Sequence, residues 1–587
     1  MDRRTIVLVA LCLVLFLGYP FILRFFGLGQ YLGPPPRQST DTTLVAVPDT
    51  TPAPSAAPAA APAISPADTA TARSEQVVTV ENDLYRAWFS TRGARLLGVE
   101  LKRYATAGAA AESRHRRLKE GEVLPDEDRV QLRGEPALRL ETGAAGRGPE
   151  ITYQVSESLD AAGQIRVLTF TGRDPSGAEI RQTYRLEPNT YAIGLEVAMR
   201  GSNLTEYRLT ARSWPLAHEH NQAEEERSLR ATSQVGSNLH REGTGGLRKG
   251  PKSFEGNASW AAVQTRYFGG VVAITRGTAR GTTAGLESRN LTAEERARLG
   301  PQAKPVQELV TNTLIVSVPG ESDSPDRFLV YFGPNEYFPL GKLGHGLENL
   351  VDLGWSWIRP FSKLLLQMLL WLYGVIHNYG LAIIVLATLV RVLLHPLSMM
   401  SMKSMREMQK VQPEVERIRQ KYKNDAQAMN AAMMALYKEH KINPAGGCLP
   451  MLVQMPLFIA LYSVLFNAIE LRQAPFVAWV DDLSAPDSLF PLGIPYVESF
   501  RVLPILMMLS GLLQQKLTPT DPRQAASMYF MNVLMLVFFY HLPSGLVLYW
   551  TVMNLLTALQ QWLALREDGG HKAEAAVSPV AARGGSK

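Results

Sequence analysis

The stretch that most constrains this fold is Tyr379–Ser398, which reads YGLAIIVLATLVRVLLHPLS. Its length suits a membrane-spanning helix, because about 20 helical residues cross a hydrocarbon core of about 30 Å. Arg391 lies well inside the apolar run, where a charged side chain costs at least about 2.5 kcal/mol. Such a residue usually faces a water-filled cavity or a partner and marks a substrate pathway. The alternative is that this long side chain reaches inner headgroups near His395 and Pro396.

A helical projection of this stretch separates two faces. At about 100° per residue, small and polar residues share one face with Arg391, whereas the opposite face is aliphatic. The pattern predicts that Arg391 and Thr388 lie together on a hydrated face. The polar face comprises Gly380, Ile384, Ala387, Thr388, Arg391, His395 and Ser398, and the aliphatic face comprises Leu381, Ile383, Leu386, Leu389, Val390 and Leu393.

Apolar residues are unevenly distributed along the 587-residue chain, which is 46% hydrophobic. They concentrate before Phe26 and again after about Leu350, which indicates an N-terminal anchor and a separate membrane core. The net charge of +6 comes from scattered basic residues. Because no nucleic-acid-binding motif accompanies them, we predict no binding of nucleic acid. With only Cys12 and Cys448, folding needs no disulfide framework.

The first 345 residues are predicted to form an anchor, a tether and a β-domain. Residues 1–26 have a longer apolar run than a cleaved signal and no convincing cleavage site, which predicts an uncleaved anchor with a cytoplasmic N-terminus. Residues 27–74 are rich in Pro and Ala and are expected to form an extended linker. Residues 75–345 contain short alternating runs between turn residues, which predicts a large, mostly antiparallel all-β sandwich in the periplasm. Within it, Trp260–Ile274 is interpreted as a core strand rather than a sugar-binding platform.

Residues 346–378 mix Trp, Tyr and Lys with leucine, which is typical of an amphipathic helix lying in the membrane interface. Trp355, Trp357 and Trp371 are expected at headgroup depth. A separate membrane crossing is the alternative, but it would invert the charge pattern of the loops that follow.

Further spans are predicted at roughly Cys448–Ile469, Val502–Leu517, Met528–Leu542 and Gly545–Leu565. Together with the anchor and Tyr379–Ser398 they make six transmembrane helices, five of them in a core at 379–566. Residues 399–445 form the densest basic loop, so this loop, the N-terminus and the tail at 567–587 are placed in the cytoplasm.

The basic loop is expected to be a helical hairpin that breaks near Asn424 and Asp425. It is rich in methionine, which suits either a surface for varied apolar partners or packing between the two helices. Both interpretations stay open. The hairpin residues singled out are Met402, Met405, Arg406 and Met433.

Polar residues also mark the later spans. Thr551, Asn554, Thr557 and Gln561 fall within an arc of about 120°, and Trp550 joins them. Ser510 and Gln514 mark the fourth span, and Ser463 and Asn467 mark the third. No Asp or Glu lies deep in any predicted span, which argues against a proton-coupled transporter. No catalytic, nucleotide-binding or metal-ligand motif occurs, so neither an enzyme nor a cofactor is predicted.

Several long motifs in this region resemble one family. They are LVRVLLHPL around Arg391, MMALYKEHKINPAGGCLPMLVQMPLFIALY at 433–462, ELRQAPF at 470–476 and FYHLPSGLVLYW at 539–550. In this order they closely resemble the YidC/Oxa/Alb family of membrane protein insertases, of the Gram-negative type. The resemblance covers roughly Phe361–Arg566, and the anchor, tether and β-domain are similar in layout.

The resemblance implies an inner-membrane protein that inserts nascent membrane proteins into lipid, alone or beside the Sec translocon, without nucleotide hydrolysis. It implies a β-super-sandwich and a five-helix core enclosing a groove open to the cytoplasm and to lipid. Arg391 matches the family's groove arginine, and Tyr549 and Trp550 match a pair along which substrate helices slide. The tail at 566–587 has only four basic residues, so the sequence gives weak support to tail-based ribosome binding.

Two other functional classes remain as alternatives to an insertase. A secondary transporter would show inverted repeats and a mid-membrane ion site. A carbohydrate-processing enzyme would confine its activity to the β-domain and leave the later spans without a purpose.

Overall fold

The computed structural model describes residues 75–107, 124–142, 151–160, 165–174, 177–201, 204–216, 218–219, 221–293, 295–296, 304–318, 324–440, 442, 449–494, 497–518 and 522–577. The predicted anchor at 1–26, the linker at 27–74 and the end of the tail lie outside the described residues. Val77–Lys587 forms one compact unit, and the description below concerns that unit.

The N-terminal half of this unit is built from strands with alternating buried and exposed residues. In chain order they are β1 Val77–Glu81, β2 Tyr85–Ser90, β3 Arg95–Ala105, β4 Arg129–Glu141, β5 Gln154–Leu159, β6 Arg166–Arg173, β7 Glu179–Leu186, β8 Ala192–Arg200, β9 Glu206–Arg212, β10 Arg230–Val235, β11 Asn238–Gly243, β12 Lys252–Glu255, β13 Ala258–Gln264, β14 Phe268–Arg276, β15 Thr278–Asn290, β16 Val306–Ser317 and β17 Asp326–Pro334. A small hairpin, β18 Phe490–Ile494 and β19 Val497–Phe500, lies much later in the chain.

The strands form two large sheets that share one core. The first has the order β1-β2-β3-β4-β9-β16-β15-β12, and the second has the order β11-β10-β13-β14-β17-β8-β7-β6-β5. Every pairing between described strands is antiparallel, and one continuous apolar cluster fills the space between the sheets. The predicted β-sandwich is therefore confirmed.

Trp260–Ile274 forms two strands rather than one. The amide of Thr265 donates to the carbonyl of Phe268 at 2.9 Å, and the resulting turn lets β13 pair with β14. Both aromatic residues are fully buried, Phe268 in the cluster between the sheets and Trp260 in an apolar cluster shared with the helical half. The prediction of buried packing therefore holds, and no aromatic platform faces solvent here. The indole N–H of Trp260 donates to the carbonyl of His345 at 3.0 Å.

A buried asparagine joins the two sheets. Asn312 of β16, in the first sheet, is fully buried. Its amide nitrogen donates at 3.0 Å to the carbonyls of Thr232 and Ala262 and to the hydroxyl of Ser233, all in the second sheet. These bonds satisfy a polar group that would be costly to bury alone and fix how one sheet lies on the other.

The C-terminal half is helical. In chain order the helices are α1 Gln222–Ser228 and α2 Thr244–Leu247 within the β-domain, then α3 Tyr337–Leu343, α4 Arg359–Ile376, α5 Tyr379–Leu393, α6 His395–Lys410, α7 Gln412–Lys421, α8 Ala426–Glu439, α9 Leu449–Asn467, α10 Val502–Leu517, α11 Pro522–Phe539 and α12 Ser544–Val577. The predicted later spans correspond to α9, α10, α11 and α12, and α12 continues past the predicted end at Leu565.

The predicted span at Tyr379–Ser398 is not one helix. α5 ends at Leu393, and α6 begins at His395 after a bend of 59°. Pro396 explains the bend, because proline lacks an N–H and its ring clashes with the carbonyl four residues earlier. His395 and Ser398 therefore belong to α6 and do not continue the face that carries Arg391.

Among the described residues, no helix taken alone is long and apolar enough to cross a membrane, whereas the bent pair of α5 and α6 meets that requirement by length and composition. The predicted set of six spans is thus not confirmed. The hairpin does break between Tyr422 and Ala426 as expected, and it breaks again at Val411, so three helices follow the bend.

The Asn312 bridge yields a stability prediction. Asn312→Leu keeps the branched shape of the side chain, with larger methyl groups, and removes three hydrogen bonds between the sheets, so we expect a loss of about 1 to 3 kcal/mol in the free energy of unfolding. The measurement is the thermal unfolding midpoint of the full chain in detergent micelles. Asn290→Leu, at an exposed strand end, is the matched control and should change stability by no more than about 0.5 kcal/mol. Equal midpoints for the two variants would contradict the bridging role.

Candidate functional site

The candidate site is built around α5, which is held firmly at its first residues. The side chain of Asn378 accepts a hydrogen bond from the amide of Leu381 at 3.0 Å and so caps the helix. The rings of Tyr373 and Tyr379 stack with centroids 3.9 Å apart, which fixes α5 against α4. α5 thus presents Arg391, in its last turn, in a defined position.

Arg391 is enclosed by protein. The residue is only 6% exposed, and its Nε atom is buried without a hydrogen-bond partner. Within the part of the chain that the structure describes, no carboxylate pairs with it, and its electrostatic neighbour is the phenol of Tyr549 on α12. A buried guanidinium without a counter-ion is costly, so it is a strong site for an acidic or polar group that enters the core.

Thr388 lies one turn before Arg391 on the same helix and is half-buried. Its hydroxyl donates to the carbonyl of Ile384 at 2.8 Å. This bond satisfies the hydroxyl within α5, so Thr388 lies beside the arginine without a direct bond to it.

The aromatic pair on α12 packs inward. Tyr549 is 2% exposed. Trp550 is half-buried, and its ring meets Phe458 of α9 edge-on at 4.9 Å and Phe539 of α11 at 5.3 Å. The predicted pair therefore lies where three helices meet. Thr551, which follows it, is buried and donates to the carbonyl of Val547 at 2.8 Å.

The polar stripe of α12 largely joins helices to each other. Asn554 donates to the hydroxyl of Ser510 at 3.2 Å and to the carbonyl of Met507 at 3.3 Å, which links α12 to α10. Two turns further along α12, the side chain of Gln561 donates to the hydroxyl of Thr518 at 3.0 Å. Such polar contacts stabilise helix pairs in an apolar environment by about 1 kcal/mol each.

Gln514 is half-buried. Its backbone carbonyl accepts a hydrogen bond from the hydroxyl of Thr518. The adjacent Gln515 is buried and accepts a hydrogen bond from the side chain of Asn532 on α11. A Cβ atom added at Gly511 would lie 2.5 Å from the Asn532 oxygen, so a larger residue here would force the Asn532 side chain to shift. Sequence reasoning missed Gln515 and Asn532. The Ser510-Gly511 pair was the available signal, because small residues mark close helix packing in membranes.

The two polar residues of α9 contact the segment that precedes α4. Asn467 donates to the carbonyls of Asp352 at 2.8 Å and Ser463 at 3.0 Å, and the Ser463 hydroxyl donates to Ile459 at 2.9 Å. They therefore lie at the junction with the segment that precedes α4.

The hairpin methionines divide between the two interpretations. Met402 is buried in α6, whereas Met405 and Arg406 are half-buried. Met433 packs on a small apolar cluster of Val411, Val415, Leu436 and Ile442, while its neighbour Met434 is 61% exposed. Some methionines thus hold the hairpin together, and others present apolar surface.

The described residues contain no group of His, Cys, Asp or Glu arranged to hold a metal ion. His395, for example, shares a hydrogen bond of 2.9 Å with Gln560 of α12 instead. The chemistry that this arrangement offers is the binding of polar and apolar groups by a cation among aromatic and aliphatic side chains.

Comparisons with known proteins agree along nearly the whole chain. Residues 77–368 match the YidC periplasmic domain, and residues 371–570 match the 60Kd inner membrane protein family. The membrane protein insertase YidC of Geotalea daltonii is 34% identical over 571 residues, with 96% of this chain and 98% of that protein covered. The same-named protein of Geobacter metallireducens is 34% identical over 582 residues, with 96% and 98% covered.

Among solved structures, an active YidC insertase with its first transmembrane domain resolved is 17% identical, with a TM-score of 0.34 and coverage of 83% of this chain and 92% of that one. The sequence relatives carry the assignment, because each matches almost from end to end. This chain belongs to the YidC family of membrane protein insertases.

Proposed function

We propose that this protein receives hydrophobic segments of nascent membrane proteins from the cytoplasm in a hydrated groove around Arg391 and releases them into inner-membrane lipid. The observation that carries the proposal is the enclosed Arg391, which pairs with no carboxylate among the described residues. Its burial favours the groove interpretation over a side chain that extends to the headgroups. The relatives, which are named membrane protein insertases, support the same reading.

The groove attracts the polar or acidic flank of a substrate, and the apolar helices beside it guide the hydrophobic segment. α10 and α11 expose a broad aliphatic and aromatic surface, with Leu509, Leu513, Phe530, Val537 and Phe538 among its residues. Lipid covers this surface and replaces water around the incoming segment. The transfer supplies roughly 25 cal/mol per Å² of apolar area removed from water, so insertion needs no nucleotide hydrolysis.

The hairpin of α6, α7 and α8 lies in the cytoplasm and makes the first contact with the substrate. Exposed methionine such as Met434 accepts varied apolar side chains, and the basic residues around it keep the hairpin in water. The β-sandwich lies in the periplasm, and both termini lie in the cytoplasm. α4 lies in the outer interface, where the exposed, stacked Trp355 and Trp357 reach the headgroups. The Sec translocon and, through a weakly basic tail, the ribosome are its proposed partners.

Site-specific photo-crosslinking tests this route directly. Photoreactive residues replace Thr388, Trp550 and Met405, which leaves the charge of Arg391 intact, and ribosome-stalled chains of a short single-span protein are then synthesised. We expect crosslinks from all three positions to the hydrophobic segment. The same reagent at Arg248, on the outer surface of the β-domain, is the control and should give none. If the three positions and Arg248 label alike, the groove is not the route.

The charge of Arg391 yields a second prediction. Arg391→Ala removes the attraction for acidic flanks, so insertion of a substrate with an acidic translocated tail should fall about tenfold, which corresponds to about 1.4 kcal/mol. A substrate with a neutral tail should be much less affected, and Arg391→Lys should retain most activity. Lys516→Ala, which removes an exposed cation at the end of α10, is the matched control. Equal loss for acidic and neutral tails would contradict charge attraction.

A further inference from the structure

The loop between α9 and α10 folds back over the helical core. Residues 468–487 contain few strands or helices of their own, yet Leu471, Ala474, Val480 and Leu483 are buried. A loop of this length with a buried interior must be held by specific contacts, because its backbone polar groups need partners. We call residues 468–487 the capping loop.

The capping loop contacts the first residues of three helices. At α5, the ring of Phe476 lies so close to Gly380 that an added Cβ atom would be 2.0 Å from it. At α12, the amides of Ser544 and Gly545 donate to the carbonyls of Ala485 at 2.8 Å and Leu483 at 2.9 Å.

At α10, Asp487 accepts hydrogen bonds from the amides of Val502 at 2.8 Å and Leu503 at 3.0 Å. A carboxylate at a helix N-terminus also interacts favourably with the helix dipole. The capping loop therefore joins the N-terminal ends of α5, α10 and α12 into one closed layer.

A second aspartate folds the capping loop on itself. One oxygen of Asp482 accepts hydrogen bonds from the amide of Gln473 at 3.0 Å and from the amide and hydroxyl of Ser484, both at 2.7 Å. The carbonyl of Asp482 accepts a further bond from the Ser544 hydroxyl at 2.7 Å. Asp482 therefore connects Gln473 to the first residue of α12.

The other end of the capping loop is bound by the β-domain. The guanidinium of Arg472, whose side chain is 2% exposed, pairs with Glu219 at 2.7 Å. It also donates to the carbonyls of Ala105 at 2.8 Å and His218 at 3.1 Å. The side chain of Gln473 donates to Ala105 at 3.0 Å.

A buried arginine that is paired with a carboxylate and makes further hydrogen bonds is strongly held, because breaking such a pair from one side leaves an uncompensated charge. Burial raises the pKa of Glu219 to about 7, and Arg472 opposes that rise by favouring the carboxylate. The Arg472 guanidinium also lies over the ring of Phe268, 5.2 Å from its centroid.

The β-domain has a separate attachment to the helical half that bypasses the capping loop. Arg230 of β10 pairs at 3.2 Å with Asp352, in the segment before α4, and the carbonyl of Asp352 accepts a bond from Asn467. This attachment provides a comparison, because it joins the same two halves without contacting residues 468–487.

We propose that the capping loop is a plug that closes the N-terminal ends of α5, α10 and α12, and that the β-domain holds this plug in place through Arg472 and Gln473. The β-domain thereby sets the closure of the core at the end opposite the hairpin. The proposal does not rest on insertase activity.

Hydrogen–deuterium exchange on the full chain in detergent micelles tests the plug. Arg472→Gln, which removes the charge from the loop side, and Glu219→Gln, which removes it from the β-domain side, are the two variants. We expect amides of residues 473–485 to exchange about fivefold faster or more in both, since local opening costs less when the attachment is weakened. The interiors of α5 and α12 should exchange at the original rate.

Arg230→Gln is the matched control, because it removes a junction arginine that does not contact the plug. It should leave exchange at 473–485 unchanged. The proposal is overturned if Arg472→Gln loosens the plug but Glu219→Gln does not, because the plug would then hold itself without the β-domain. It is also overturned if neither variant changes the exchange, or if exchange rises equally in the plug and in the interiors of α5 and α12, which would indicate general unfolding.

Discussion

The arrangement of the helical half depends on one buried charge. Arg391 is enclosed among apolar and aromatic side chains, with the phenol of Tyr549 as its electrostatic neighbour and no carboxylate partner among the described residues. Burying a charge without a counter-ion is costly, so the side chains around Arg391 must be held rigidly in place. The polar contacts of Asn554 with Ser510 and of Gln561 with Thr518 supply that rigidity, because they fix α12 against α10.

The rigidity of the helical half around Arg391 also depends on its contacts with the β-domain. Asn312 fixes the two sheets to each other, and Trp260, in the apolar cluster that the β-domain shares with the helical half, donates to the segment that precedes α4. Arg472 and Arg230 then connect the β-domain to two different parts of the helical half. The β-domain is thus packed against the helical half at several points.

Much of the fold could be predicted because it follows from short-range patterns. Alternation in stretches such as Ile180–Leu186 predicted strands, and α10 has the bounds predicted from its apolar run. The bend before His395 was missed because a continuous apolar run outweighed the signal of Pro396. A hydropathy pattern indicates the length and composition of an apolar segment, but it does not show whether the helix bends within that segment.

The partners of polar side chains were harder to predict. The spacing of the polar residues on α12 predicts that they share one face of the helix. The contact of Asn554 with Ser510 could not be predicted, because it depends on which helix packs there. The ion pair of Arg472, within the ELRQAPF motif, could not be predicted, since its partner Glu219 lies 253 positions earlier in the chain. Spacing within one helix cannot reveal such contacts, because they arise only when distant segments pack together.

The most direct measurement of the central claim is insertion by the purified full chain alone. Liposomes containing this protein, without nucleotide or any other protein, are mixed with a freshly synthesised short single-span protein, and protease protection of its translocated end is measured. The account predicts protection that rises with the amount of reconstituted protein and clearly exceeds that in protein-free liposomes. Protection no greater than in protein-free liposomes, or protection that appears only when nucleotide is added, would contradict it.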